Sequence, residues 1–272
     1  MWGTLLAVMA LGGSAEVCLA QDIPVEVRQG WAVIARVNVD GAGKLAFLVD
    51  TGSGRTVVDK RAAKSLKRVP TTAMVQLPDT AVPAAEVELQ SVALGPRRIG
   101  PVTVLVEDLA MLGRNLGTRI DGILGMDLLG LSGFSIDYRS KKLQIGAVPM
   151  LRWVVPLEGD MLNPAVQVEV GRHSLRLIAD TGCPTLLLFR NSLPEHFLHR
   201  GAAVSVWWSS SSRLQTEQVL FPRSRVGTKD LNQQVAYTLD SAIDSAQGFL
   251  GLAVLHPKRV AFNFQARLLS WE

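Results

Sequence analysis

Asp-Thr-Gly occurs twice in this chain, each time in the same setting. Val37 to Val58, VNVDGAGKLAFLVDTGSGRTVV, and Val168 to Leu188, VEVGRHSLRLIADTGCPTLLL, align with a one-residue gap. Each reads as an alternating strand, a Gly-containing turn, a second apolar strand, then Asp-Thr-Gly and a further apolar run. A second pair aligns without a gap at a constant offset of 126 residues: Ile123-Leu124-Gly125-Met126 through Ile145 falls on Phe249-Leu250-Gly251-Leu252 through Trp271. Within it, the apolar positions of Phe134 to Tyr138 coincide with those of Val260 to Phe264, while the polar positions differ. Repetition on this scale indicates one supersecondary plan used twice. The chain is therefore expected to form two related lobes, 21–148 and 149–272, with the junction near Val148 to Arg152.

The local pattern is mostly β. Period-two alternation of Val- and Leu-rich stretches predicts strands at Ala32 to Val39, Glu86 to Leu94, Val102 to Val106, Ala165 to Val170 and Val219 to Phe221, separated by Gly, Pro and Asn or Asp turns. Spacing nearer three to four predicts short helices at Lys60 to Lys67, Glu107 to Leu112, Asp127 to Leu129 and Arg190 to Arg200. The expected fold class is all-β, two β lobes with short helices. The serine run Ser209 to Ser212 reads as a loop or hairpin tip.

Composition agrees with two compact lobes and excludes several functions. Of 272 residues, 48% are hydrophobic and 19% charged, enough apolar material for buried cores. The net charge of +4 comes from scattered basic residues, and aromatics make up only 6%, so the footprint of nucleic-acid binding is missing. Two cysteines exclude a disulfide scaffold and any multi-cysteine zinc site. The run TLLAVMALGG at 4–13 is too short to cross a bilayer and leads into small residues ending at Ala20, which reads as a secretory signal peptide over 1–20. An alternative cut after Ala15 also fits, and the n-region carries no Lys or Arg. Cleavage at Ala20 leaves one cysteine, Cys183, and the product is expected to be secreted or periplasmic, with no membrane attachment.

An Asp placed directly after an apolar strand and before Thr-Gly sits in a tight, buried turn, where the Gly lets another backbone come close. Aspartate is seldom buried without a partner. Two such positions in matched repeats, Asp50 and Asp180, imply two carboxylates facing each other across a pseudo-twofold axis. Like charges so placed cannot both ionise easily, and the pair shares a proton. A pair of this kind can hold a water, one carboxylate taking its proton while the other donates to a carbonyl oxygen.

In order, Leu48-Val49-Asp50-Thr51-Gly52-Ser53, Asp121-Gly122-Ile123-Leu124-Gly125, Asp180-Thr181-Gly182 and Gly248-Phe249-Leu250-Gly251 resemble the pepsin and retropepsin superfamily of aspartic proteases. The resemblance spans essentially the whole chain after residue 20. It implies a bilobal, pepsin-like fold of two pseudo-twofold-related β-barrels, with Asp50 and Asp180 as the catalytic dyad. It further implies that Thr51 and Thr181 cross-brace the two loops and that Gly52 and Gly182 offer backbone N–H groups to the carboxylates. Gly125 and Gly251 belong to the second motif. The implied activity is endopeptidase cleavage of a peptide or protein substrate bound in extended form, without metal or other cofactor. Both loops lie on one chain, so a monomer suffices.

The chain departs from that pattern in several places. Ser53 fits the family, but its counterpart is Cys183; a thiol is a poorer donor to the neighbouring carboxylate than the expected hydroxyl. No flap tyrosine falls in Thr71 to Leu94, since the chain has only Tyr138 and Tyr237, and Trp207-Trp208 in the second repeat stand as a possible aromatic cover. About ten residues separate Ala20 from the first strand near Trp31, which leaves no room for an inhibitory prosegment. His196 and His199 form an H-x-x-H without the third ligand that a metal needs, and read as solvated helix residues. His173 reads as a turn residue that does not serve Cys183. These departures keep a second reading open, a non-catalytic peptide- or protein-binding module on the same fold.

Overall fold

The structure is a computed structural model that describes residues 21–76, 81–190, 199–207, 213–240 and 245–272; the segment 1–20 that reads as a signal peptide, Trp208 and the serine run lie outside the described residues. The fold is all-β with short helices. The first half contains β1 (Gln21–Arg28), β2 (Ala32–Val39), β3 (Lys44–Val49), β4 (Val57–Asp59), β5 (Thr71–Gln76), β6 (Ala81–Leu89), β7 (Val92–Leu94), β8 (Arg97–Ile99), β9 (Val102–Glu107), β10 (Gly122–Leu124), β11 (Phe134–Asp137) and β12 (Lys142–Ile145). The second contains β13 (Trp153–Pro156), β14 (Ala165–Val170), β15 (His173–Asp180), β16 (Leu186–Phe189), β17 (His199–Trp207), β18 (Arg213–Phe221), β19 (Ser224–Val226), β20 (Lys229–Leu231), β21 (Gln234–Leu239), β22 (Gly248–Gly251), β23 (Arg259–Asn263) and β24 (Leu268–Trp271).

Every strand of the first half has its counterpart twelve strands later. The hydrogen-bonded order β2-β3-β10-β4-β9-β6-β5 recurs as β14-β15-β22-β16-β21-β18-β17. The parallel pairs β3 with β10 and β4 with β9 recur as β15 with β22 and β16 with β21. A small hairpin, β7 with β8, hangs from β2 just as β19 with β20 hangs from β14. The repeat also reaches a pair that sequence alignment did not reveal: Ile23-Pro24 of β1 lies against β12 as Val155-Pro156 of β13 lies against β24.

The halves meet in one continuous sheet, β13-β24-β23-β11-β12-β1. Its centre is the antiparallel pair β11 and β23, where Ser135 lies opposite Ala261, its own repeat mate. Phe134 opposes Phe262 and Ile136 opposes Val260, so the pairing maps onto itself when the halves are exchanged. The pseudo-twofold axis therefore passes between Ser135 and Ala261. Alternation along these strands sends Phe134, Ile136, Val260 and Phe262 into the core, all buried. The Phe134 and Phe262 rings stack with centroids 4.9 Å apart, which ties the two halves by dispersion as well as by backbone bonds.

Helices occur where expected at α1 (Lys60–Ser65) and α3 (Met126–Leu129), and a 3-10 turn over Leu252–Leu255 replaces the latter in the second half. Four local expectations need correction. The first strand opens at Gln21 and not near Trp31, because residues 21–28 pair with both β12 and β2. Glu107 closes β9 instead of opening a helix, because its backbone continues the parallel ladder with Asp59, and α2 (Ala110–Leu116) starts later, ending at the left-handed Gly117. Glu86 to Leu94 is two strands, since the chain turns at Gln90-Ser91 to let β7 leave β6 for β2. Of the helix expected at Arg190 to Arg200, 191–198 lie outside the described residues, and His199 and Arg200 open β17, pairing with Leu220 and Val219.

Because Phe262 fills the joint between the halves, Phe262→Ala is expected to cost about 3–5 kcal/mol of folding free energy, measured as a lower urea midpoint by circular dichroism.

Candidate active site

Strands β3 and β15 are buried along their last residues, Ala46–Val49 and Leu177–Asp180, and each is flanked on both sides by paired strands. At the end of such a strand the chain has to turn without leaving buried N–H or C=O groups unpaired. The first loop solves this with the second loop. Thr51 donates its backbone N–H to Thr181 Oγ1 at 3.1 Å, and Thr181 returns the bond to Thr51 Oγ1 at 3.0 Å. Each hydroxyl then donates across the axis to the residue before the opposite aspartate, Thr51 to Ala179 O at 2.6 Å and Thr181 to Val49 O at 2.9 Å. Both threonines are fully enclosed.

The brace brings Asp50 and Asp180 into direct hydrogen-bond contact. Gly52 N–H donates to Asp50 Oδ1 at 2.9 Å and Gly182 N–H to Asp180 Oδ1 at 2.6 Å. Each glycine also lies flat against the opposite carboxylate. A Cβ on Gly52 would stand 2.5 Å from the Asp180 carboxyl carbon, and one on Gly182 would collide in the same way with Asp50. Only glycine leaves room for the two carboxylates to meet.

Burial raises the pKa of both carboxyls above the ordinary aspartate range, making each a weaker acid. Asp180 is pushed the further, by burial first and then by the negative charge of Asp50. Asp50 is restrained by its bond to Asp180 and by the N–H groups of Gly52 and Ser53, the latter at 3.2 Å. The pair titrates as a unit and is set up to share one proton and carry one negative charge.

The Ser53 hydroxyl and the Cys183 thiol do not reach the carboxylates, contrary to expectation. Ser53 Oγ donates to Arg55 O at 2.7 Å and Cys183 Sγ to Thr185 O at 3.3 Å, two residues on in each case. Both close their own loops, so serine and cysteine perform the same task. Burial pushes the Cys183 thiol well up, with the nearby Asp180 adding to it, and this keeps it protonated and unreactive. His173 opens β15 and is exposed at the opposite end of that strand from Asp180.

The second motif packs behind the loops. Gly125 N–H donates to Thr56 Oγ1 at 3.1 Å, and that hydroxyl donates to Asp127 Oδ1 at 2.6 Å. Gly251 N–H donates to Thr185 O at 3.0 Å. A Cβ on Gly125 would stand 2.5 Å from the Arg55 carbonyl carbon, and one on Gly251 would stand 2.5 Å from Cys183 O. Sequence reasoning placed Asp121 at the head of the second motif without a role and left out Gln247, its mate at the same 126-residue offset. Asp121 exchanges bonds with Ala46, its Oδ2 accepting from the backbone N–H at 3.0 Å; Gln247 does so with Arg176 through Oε1 at 2.7 Å. Each pins the strand that carries an aspartate, and their shared place in the repeat was the available signal.

Above the dyad opens a cleft of about 550 Å³, lined by both loops, by Leu109, Leu112 and Leu116 at α2, and by Leu187, Tyr237 and Phe249 from the second half. The flap expected within Thr71 to Leu94 corresponds to the hairpin β5–β6, and β17–β18 is its counterpart. Their tips, 77–80 and 208–212, lie outside the described residues, as does His196; Trp207 is the last residue of β17.

The family model described as aspartyl protease matches residues 35–128, which include Asp50-Thr51-Gly52 and the second motif through Gly125. No curated protein matches the chain. The family match supports a protease of the aspartic class.

Thr181→Val removes one donor and one acceptor from the brace and is expected to destabilise the fold by about 1–3 kcal/mol, as is Thr51→Val. In a double-mutant cycle by urea denaturation the pair should cost clearly less than the sum of the two. Cys183→Ser, which puts the Ser53 arrangement in both halves, should leave the melting temperature within a few degrees of the parent chain.

Proposed function

We propose that this chain is an exported, single-chain aspartic endopeptidase that hydrolyses peptide bonds with a water held between Asp50 and Asp180. The observation that carries the reading is the braced pair of buried carboxylates at the floor of a cleft lined by both halves. In this reading Asp50 is the base and takes a proton from the water as its oxygen attacks the scissile carbonyl. Asp180 gives its proton to the carbonyl oxygen, so a neutral gem-diol forms and the pair keeps one proton throughout. Collapse of the diol returns a proton to Asp180 and delivers the one on Asp50 to the leaving nitrogen. Two rigid loops hold this geometry before substrate arrives, so little reorganisation is needed during the reaction.

The substrate lies extended across the axis between the halves, under the hairpins β5–β6 and β17–β18. A monomer suffices, because both loops come from one chain. Export rests on the apolar run at 4–13 and the small residues that follow it. The alternative of a non-catalytic binding module drew on Cys183 and the missing flap tyrosine. The first of these loses its force, because the thiol takes the place of the Ser53 hydroxyl in an equivalent bond.

Purified protein should cleave a peptide pool in a bell-shaped pH profile. Activity rises as Asp50 ionises and falls as the pair loses its last proton, with both limbs above the range of an isolated aspartate. Asp50→Asn and Asp180→Asn should each reduce kcat by at least about a thousandfold; cleavage that persists in either variant sinks the mechanism. Stability provides a check that is independent of turnover. The stability held by the protonated Asp180 is fully present below about pH 4 and is lost as pH rises through its elevated native value. Asp180→Asn should therefore gain stability relative to the parent chain at pH 7, and the gain should shrink toward pH 4 in paired denaturation curves.

A further inference from the structure

The first-half side of the cleft is walled by α2, whose Leu109, Leu112 and Leu116 fall three and four residues apart, on one face, and line the opening. Little in α2 itself fixes where it stands. It has seven residues, a glycine at 113 and no side-chain bond from its N-cap residue Leu109, and a helix this short is marginal by itself. The exposed Asp108 accepts from Ala110 N–H at 3.0 Å, but that bond lies within the segment and moves with it. Two bonds from distant parts of the chain hold the ends. The buried Leu109 N–H donates to Asp59 Oδ2 at 2.9 Å, and Gln29 Nε2, from the turn between β1 and β2, donates to Asn115 O at 2.5 Å.

Asp59 is the firmer of the two anchors. Gln29 is exposed, whereas Asp59 is fully buried at the end of β4, which lies between β10 and β9. Its backbone N–H donates to Asp121 O at 2.8 Å, and its Oδ1 accepts from Arg61 N–H at 3.0 Å and from Arg61 Nε at 2.8 Å. One carboxylate thus joins the start of α1 to the start of α2. The repeat mate of Asp59 is Phe189, which stands opposite Leu239 as Asp59 stands opposite Glu107. Phe189 meets Phe249 edge to face at 5.7 Å, and Phe249 lines the cleft. At the same place in the fold, one wall is backed by a ring contact and the other by a buried charge. A buried charge is costly unless every oxygen is bonded, and here the oxygens are bonded to the very segment that forms the wall.

We infer that Asp59 is a positioning residue for peptide binding: its carboxylate sets where α2 stands, and so the width of the first-half side of the cleft. The kinetic part of this rests on the reading of the chain as an endopeptidase, and the placement of α2 does not. The dyad is held by the threonine brace and not by α2, so loss of the anchor acts on substrate binding more than on the chemical step.

The test uses the full chain, a peptide found to be cut in a peptide pool, and hydrogen exchange read by mass spectrometry. Asp59→Ala should raise KM about tenfold while kcat changes by less than about threefold, and exchange over 109–117 should quicken at least about tenfold while that of β15 keeps its rate. A loss of folded protein alone would lower the apparent kcat and leave KM where it was. Asp59→Asn, which keeps one oxygen for Leu109, should fall between the parent chain and the alanine variant. It carries the test if Asp59→Ala does not fold, and parent-like KM and exchange in it then overturn the inference. Parent-like KM in a folded Asp59→Ala, or exchange that quickens evenly along the chain, likewise overturns it and leaves proteolysis standing. If the parent chain cuts no peptide, the proteolytic reading fails by itself and exchange decides the anchor: quickening confined to 109–117 supports it, and unchanged or evenly faster exchange overturns it.

Discussion

The reciprocal hydrogen bonds between Thr51 and Thr181 are the constraint on which the rest of the site depends. Two carboxylates resist being brought together, since burial and mutual repulsion both oppose ionisation. The bond that offsets this cannot come from the aspartates themselves. It comes from the residues next to them, whose N–H and hydroxyl groups are all committed across the axis. The unfavourable contact between acids is thereby imposed by favourable contacts one residue away. Glycine at the following position is a consequence of the same closeness, because each carboxylate occupies the space where the opposite loop would carry a side chain.

Much of this was legible in the sequence, for a specific reason. The repeat showed itself wherever backbone approach left no choice of residue: at Asp-Thr-Gly, and at the glycines Gly125 and Gly251 that lie against the backs of the loops. The strands with one buried face kept their period-two pattern, and so β2 and β14 were read with their observed bounds. What was not legible was anything that two different side chains could supply. Asp121 and Gln247 share an acceptor oxygen but no letter, and Ser53 and Cys183 share a donor with different chemistry. The relation of β1 to β13 was hidden because only a proline and its apolar neighbour repeat there, while the pairing partners recur in full.

The helix boundaries failed for a related cause. Glu107 has the right spacing to begin a helix, but its backbone is already held in the parallel ladder with β4, and ladder bonds outweigh a weak local preference. The same ladder sets Asp59 beside Glu107 and within reach of Leu109, so the misread boundary and the anchor of α2 have one origin.

The joint at Ser135 and Ala261 has a consequence for how such a site responds to dilution. Two separate copies of one half would have to find each other before their carboxylates could meet, and the assembled fraction would fall as the protein became scarce. Here the halves share a sheet and a covalent connection, so each faces its partner at a fixed effective concentration. Assembly of the dyad is then independent of how much protein is present. The tether also frees the two halves from having to be identical, and the chain has used that freedom on opposite walls of one cleft.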